Sequence, residues 1–157
     1  MPSYVALPGP FIDERTQTGT SYTSPTWAAG TYRQIAFEII FTAGGAGGVA
    51  TITLAGGLVG SYDSFTVLAS GASATPLGVL QAWACATDVK AAWSGTIDVR
   101  TAGPKLLKSS YVNGIGGTPI RALMTGDHPD TSNPVTGFVV TCSVSSTFTV
   151  TLSGVPA

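Results

Sequence analysis

Apolar and polar residues alternate with a period of two through most of the chain beyond residue 31. In "YRQIAFEIIFT", residues 32 to 42, Ile35, Phe37, Ile39 and Phe41 share one face, while Gln34, Ala36 and Glu38 share the other. That is the pattern of a strand with one buried face. The same period returns in "VATITL" (49 to 54), "SFTVLA" (64 to 69), "TIDVRT" (96 to 101) and "TFTVTL" (147 to 152). It also runs through "VTGFVVTCSV" (135 to 144), which places Phe138, Val140, Cys142 and Val144 together. Weaker strand patterns cover 79 to 87, 105 to 112 and 118 to 124. One segment has a helical rival: in "QAWACATDVKAAW", 81 to 93, the alanines favour helix and Trp83, Ala86 and Trp93 could share a helical face. The reading adopted there is a strand followed by a turn.

Gly and Pro clusters cut the chain at 43 to 48, 55 to 60, 70 to 78, 102 to 104, 113 to 119 and 126 to 134. Short alternating strands with such punctuation specify an all-β fold, an antiparallel β-sandwich, with a jelly roll as the expected closure. Residues 1 to 30 show no period; they hold Pro2, Pro8, Pro10 and Pro25 with large aromatics at Tyr4, Phe11, Tyr22 and Trp27. The expectation is an extended arm over 1–30 ahead of a sandwich domain over 31–157. Its four aromatics would anchor the arm, either on a neighbouring subunit or on its own domain.

Composition sharpens this picture. The chain has 157 residues, of which only 10% are charged, with 20 glycines and 37 Ser plus Thr. A typical soluble domain carries about 25% charged residues. A surface built of hydroxyl, glycine and apolar groups is poorly protected against association, so the sequence predicts a homo-oligomer. The formal net charge is -1, and the seven basic residues are dispersed, with "RTAGPKLLK" (100 to 108) the densest group. Nothing there forms a phosphate-binding surface, which argues against a nucleic-acid partner. The charge-free run 39 to 62 is long enough to span a bilayer, but its seven glycines and alternating β-branched residues describe two strands and a turn, not a membrane span. The N-terminal "MPSYVALPGP" has neither a basic nor an apolar signal region, so the chain is expected to stay in the cytoplasm that makes it.

Candidate chemistry is sparse. Gly45, Gly47 and Ala50 match the letters of a dinucleotide-binding turn, but a strand follows where that motif needs a helix. Cys85 and Cys142 each sit in a strand-like run, read as buried thiols without a metal ligand set. No serine or cysteine has a base nearby, and the two glutamates, Glu14 and Glu38, lie in different segments, so no enzyme activity is expected. The one concentration of polar groups is "TGDHPDTSNP", 125 to 134, which holds the only histidine. Asp127, His128 and Asp130 are a possible ligand-facing loop. Their spacing matches no EF-hand or His-x-x-x-His pattern, and Asp, Asn, Gly and Pro are turn formers, so a connecting loop is favoured over a metal site and no cofactor is expected.

The segments "GTIDVRTAGPKLLKSSYVNGIGG" and "TGDHPDTSNPVTGFVVTCSVSSTFTVTLSGV" resemble the small jelly-roll structural and auxiliary proteins of tailed-bacteriophage virions, over about residues 95 to 155. The resemblance implies a non-enzymatic virion component, a capsid decoration protein first, bound to the major capsid protein and to neighbouring subunits in a homo-oligomer for which a trimer is favoured, with no catalytic residues to transfer. The rival is a tail or fibre adhesin that binds carbohydrate by stacking sugar rings on exposed aromatics such as Tyr62, Trp93 or Tyr111. Burial of those three would favour assembly.

Overall fold

A computed structural model describes residues 10–44, 50–58, 63–68, 74–77, 80–82, 91–103, 105–113 and 120–157. Its described elements are all strands: β1 (Phe11–Thr23), β2 (Tyr32–Gly44), β3 (Ala50–Ala55), β4 (Asp63–Leu68), β5 (Ala74–Leu77), β6 (Leu80–Ala82), β7 (Ala91–Asp98), β8 (Lys105–Asn113), β9 (Ile120–His128) and β10 (Gly137–Pro156). Every ladder is antiparallel, in the order β5-β4-β9-β8-β7-β2-β10-β3-β6, with β1 paired to β10 off that path.

A bent ribbon organises this order. β10 pairs along its length with β1, from Thr23↔Val139 to Phe11↔Ser153. Its second half also pairs with β2 and its first half with β3, so β2 and β3 together make one antiparallel pass beside it. At the middle of the ribbon the β1–β10 register jumps between Gly19↔Ser146 and Ser21↔Thr141, leaving extra residues on β10. Such irregularities turn a strand sharply. The bend is visible in one contact. Phe37 lies opposite Leu152 in the ladder, yet its ring packs 5.5 Å from that of Phe138, fourteen residues earlier in the same strand. A straight strand would separate Phe138 from Leu152 by roughly 46 Å. The ribbon therefore folds its apolar face upon itself, and the fold is sandwich-like and all-β. The strand order is compatible with the jelly-roll wiring expected from the strand count.

The core follows the alternation. Ile35, Phe37, Ile39 and Phe41 of β2 are all buried, with Ile52 and Leu54 of β3, Trp93 and Ile97 of β7, and Phe138, Val140, Cys142, Phe148, Val150 and Leu152 of β10. Trp93 meets Phe37 edge to face at 5.6 Å, a favoured aromatic geometry, and donates its indole N–H to Ser109 Oγ at 3.0 Å. Cys142 is buried among these residues, whereas Cys85 lies outside the described residues.

Several expectations need correction. The arm over 1–30 is not separate from the domain along its described length, because residues 11 to 23 form an edge strand of the same sheet. Its alternation is hard to see because most of its side chains are exposed and only Tyr22 is fully buried. The strand expected at 96 to 101 runs instead from Ala91 to Asp98, with 99 to 101 in the turn that follows, and the two strands expected at 135 to 144 and 147 to 152 are one. The stretch 83 to 90, where helix and turn competed, lies outside the described residues. Two glycines have conformational work to do. Gly30, at φ +76, completes the turn closed by Thr31 N–H on Ala28 O between β1 and β2. Gly56, at φ +138, passes so close to the Pro134 carbonyl that no side chain fits.

Candidate functional site

The polar loop singled out in the sequence sits at one end of the sheet. β9 runs on to His128, farther than its pattern predicted, and pairs there with Lys105 at the start of β8. His128 and Lys105 are 2% and 1% exposed. The Lys105 ammonium donates to the carbonyls of Arg100, Thr101 and Gly103 at 2.8, 3.1 and 3.0 Å, so the 99–103 turn is wrapped around it. Those three bonds account for every donor an ammonium has. Burial lowers its pKa from the usual lysine range, and the charges of Asp130 and Asp98 work against that shift.

Beside it, Asp98 takes a forked pair from the Arg100 guanidinium, with Nε 3.0 Å from both carboxylate oxygens and Nη2 on Oδ2, as well as the Arg100 backbone N–H. Partial burial would raise the Asp98 carboxyl, but the side-chain and backbone bonds from Arg100 and the charges of Arg100 and Lys105 pull it below its ordinary value.

Asp130 is buried and organises the turn after β9. Its Oδ1 accepts the backbone N–H groups of Ser132 and Asn133, and its Oδ2 accepts the Asn133 side-chain amide, each at 2.8 Å. Its own N–H donates to His128 Nδ1 at 3.2 Å. These are local bonds of an Asx-type turn, the connecting-loop chemistry favoured from the sequence. Asp127 is half-buried and lines a groove of about 200 Å³ between β8 and β9 with Leu106, Leu107, Lys108, Thr125 and Gly126. Among the described residues no three His, Cys, Asp or Glu side chains converge as a metal-ligand set. The alternation could not reveal the partners Lys105, Asp98 and Arg100, because the ladder and the turn that assemble them are not local patterns. The only hint was the density of "RTAGPKLLK".

The arm aromatics divide. Tyr4 lies outside the described residues. Tyr22 is in the core, where its hydroxyl donates to Asp13 Oδ2 at 2.8 Å and its ring lies 5.7 Å from the Arg15 guanidinium. Trp27 is half-buried, donates to the Val135 carbonyl at 2.8 Å and meets Tyr32 edge to face. Of the three described, Phe11 is the one that projects outward, 69% exposed. Trp93 and Tyr111, offered as sugar platforms, are core residues, and Tyr62 lies outside the described residues.

The opposite face of the sheet is unusual in what it leaves uncovered. Leu106 and Val112 of β8 and Leu123 of β9 are 45%, 41% and 66% exposed, and Ile40 of β2 is exposed too. Lys108 and Asp127 share that face, with Ser110 and Thr125 between, and beside Ile40 stand two cross-strand hydroxyl pairs, Thr16–Thr149 at 2.6 Å and Thr18–Thr147 at 2.8 Å. The sequence matches no protein-family model and no curated protein.

Proposed function

We propose that the chain is a non-enzymatic virion structural protein, a capsid decoration protein that binds the head surface and its own neighbours as a homotrimer. The observation that carries the reading is the outer face of β8 and β9, where Leu106, Val112 and Leu123 stand exposed on a chain with only 10% charged residues. Large apolar groups grouped on one sheet face, here with Lys108 and Asp127 beside them, mark an association surface. Burial of Trp93 and Tyr111 takes two of the three named sugar-stacking platforms out of reach, which weighs against the carbohydrate-binding alternative. The resemblance to phage virion proteins supplies the partner class, the major capsid protein.

The test is binding and mass. Light scattering at micromolar concentration should give three times the 15.9 kDa chain mass, and the protein should sediment with expanded phage-like shells but not with bacterial envelope polysaccharide. Leu123→Glu with Leu106→Glu should abolish shell binding while leaving the fold intact. A soluble monomer that ignores shells would overturn the proposal, and capture by polysaccharide would install the adhesin reading in its place.

A further inference from the structure

The ladder between β8 and β9 sets Leu106 opposite Asp127, Lys108 opposite Thr125 and Ser110 opposite Leu123. These six lie on the outer side of the pair, away from the side on which Leu107, Tyr111 and His128 are buried. Lys108 and Asp127 are therefore diagonal neighbours on the two walls of one groove, and Leu106 adjoins both. Yet neither charge is spent within the chain. The ion pairs among the described residues are Arg15–Asp13 and Arg100–Asp98, and Lys108 and Asp127 make no side-chain hydrogen bond to a described residue.

The signs decide which partner fits. A polyanion or an acidic protein surface meets Asp127 as a like charge, and a basic surface meets Lys108 as one. Farther along the same face, Glu38 of β2 adds another carboxylate, reached from Leu123 through Ser110 and Ser94. A patch with one cation and one anion flanking the same leucine is the complement of itself. A second copy brings an aspartate for Lys108, a lysine for Asp127, and leucines that shed water against Leu106 and Leu123. The two charges stand on different strands and about 7 Å apart along them, an offset that the long stem of a lysine spans. The β8 flank of one copy thus meets the β9 flank of the next. Each copy gives its lysine to one neighbour and its aspartate to the other, which is the head-to-tail contact that closes rings.

We propose that the outer β8–β9 patch is the contact between copies of this chain, with Lys108 of one copy on Asp127 of the next and Leu106 and Leu123 covered between them. This rests on the reading of the outer face as an association surface and names its occupant.

The test follows mass against concentration for the full chain by sedimentation equilibrium, with the folding of each variant checked by circular dichroism. Lys108→Asp and Asp127→Lys should each move the association midpoint at least tenfold to higher concentration. Both changes in one chain should restore it, because the pair re-forms with its signs exchanged. Unmoved midpoints, or a double variant no better than the single ones, overturn the inference, and an oligomer built through another surface leaves the virion reading standing. A natural chain that stays at 15.9 kDa at micromolar concentration also overturns it; if that monomer still sediments with shells, the face belongs to the shell and this inference alone falls. Should a variant fail to fold, the natural chain decides. Nitrogen-14 and nitrogen-15 chains, refolded together and treated with a carbodiimide, should yield a Lys108–Asp127 amide that joins a light peptide to a heavy one. Absence of that mixed peptide overturns the contact.

Discussion

The Tyr22 hydroxyl donates to the Asp13 carboxylate at 2.8 Å although the two residues stand nine positions apart on one strand. Laid straight, that stretch of β1 would be about 30 Å long. The bond therefore closes the rim of the bent ribbon, where Asp13 and Arg15 from one half meet Tyr22 from the other, with Arg15 Nη2 3.7 Å from Asp13 Oδ2. Burial first, then the bond to Asp13 and its charge, drive the Tyr22 phenol above its ordinary pKa, so it remains a donor at any physiological pH.

Removing only that donor tests the rim. Tyr22→Phe should cost about 1 kcal/mol, the net worth of a typical hydrogen bond. Tyr22→Ala should cost about 3–5 kcal/mol because a large buried ring goes with it. Urea melts compared with the natural chain check both. Equal costs would mean that the hydroxyl rather than the ring dominates.

A second prediction concerns the fold of the ribbon upon itself. Phe37→Leu and Phe138→Leu, singly and together, should show a coupling of about 0.5–1.5 kcal/mol in a double-mutant cycle, since the two rings touch across the core. Strictly additive effects would place the rings apart and the two halves of β10 in one straight strand.

At Gly56 the prediction is steric. Gly56→Ala sets a methyl group against the Pro134 carbonyl in a backbone conformation that alanine resists, and should destabilise by more than about 1 kcal/mol. The same change at Gly30, where nothing stands near, should cost less because only the φ term remains. Thermal melts of the two variants give the comparison directly.

Asp98 sets an acid limit of its own. Its folded pKa is depressed below the unfolded value, so the stability it adds is present above about pH 4, the ordinary aspartate range, and is lost as the pH falls through the lower folded value. Asp98→Asn should flatten the stability profile in that acid window and leave the region above pH 5 parallel to the natural chain. If the two profiles stay parallel down to pH 2, the Arg100 pair contributes nothing.

Much of the architecture was legible because burial and strand period coincide. The four inward residues of β2 and Phe138, Val140 and Cys142 of β10 were marked by alternation alone, and the all-β reading rested on such runs; Val144, marked with them, is only half-buried, where the ribbon bends. β1 escaped for the opposite reason: as an edge strand it exposes most of both faces, so its Thr, Gly and charged residues look like linker. The loop reading holds only beyond His128, where it came from the local side-chain chemistry of Asp and Asn; Gly126, Asp127 and His128, read as loop, are the end of β9. What joins that loop to Lys105 is a ladder between β8 and β9, and pairing of that kind leaves no mark on either segment by itself.

The position of β10 in the chain governs how the molecule can be made. It is the last of the described strands to be synthesised, yet β1, β2 and β3 all pair with it, and β1 has no other partner among the described strands. Until its residues emerge from the ribosome, β1 has no partner among the described strands, and Phe37 of β2 has Trp93 of β7 beside it but not Phe138. Contact order is accordingly high, with Phe11 waiting for Ser153, which predicts slow folding in which the edge of β1 stays unpaired until β10 is available.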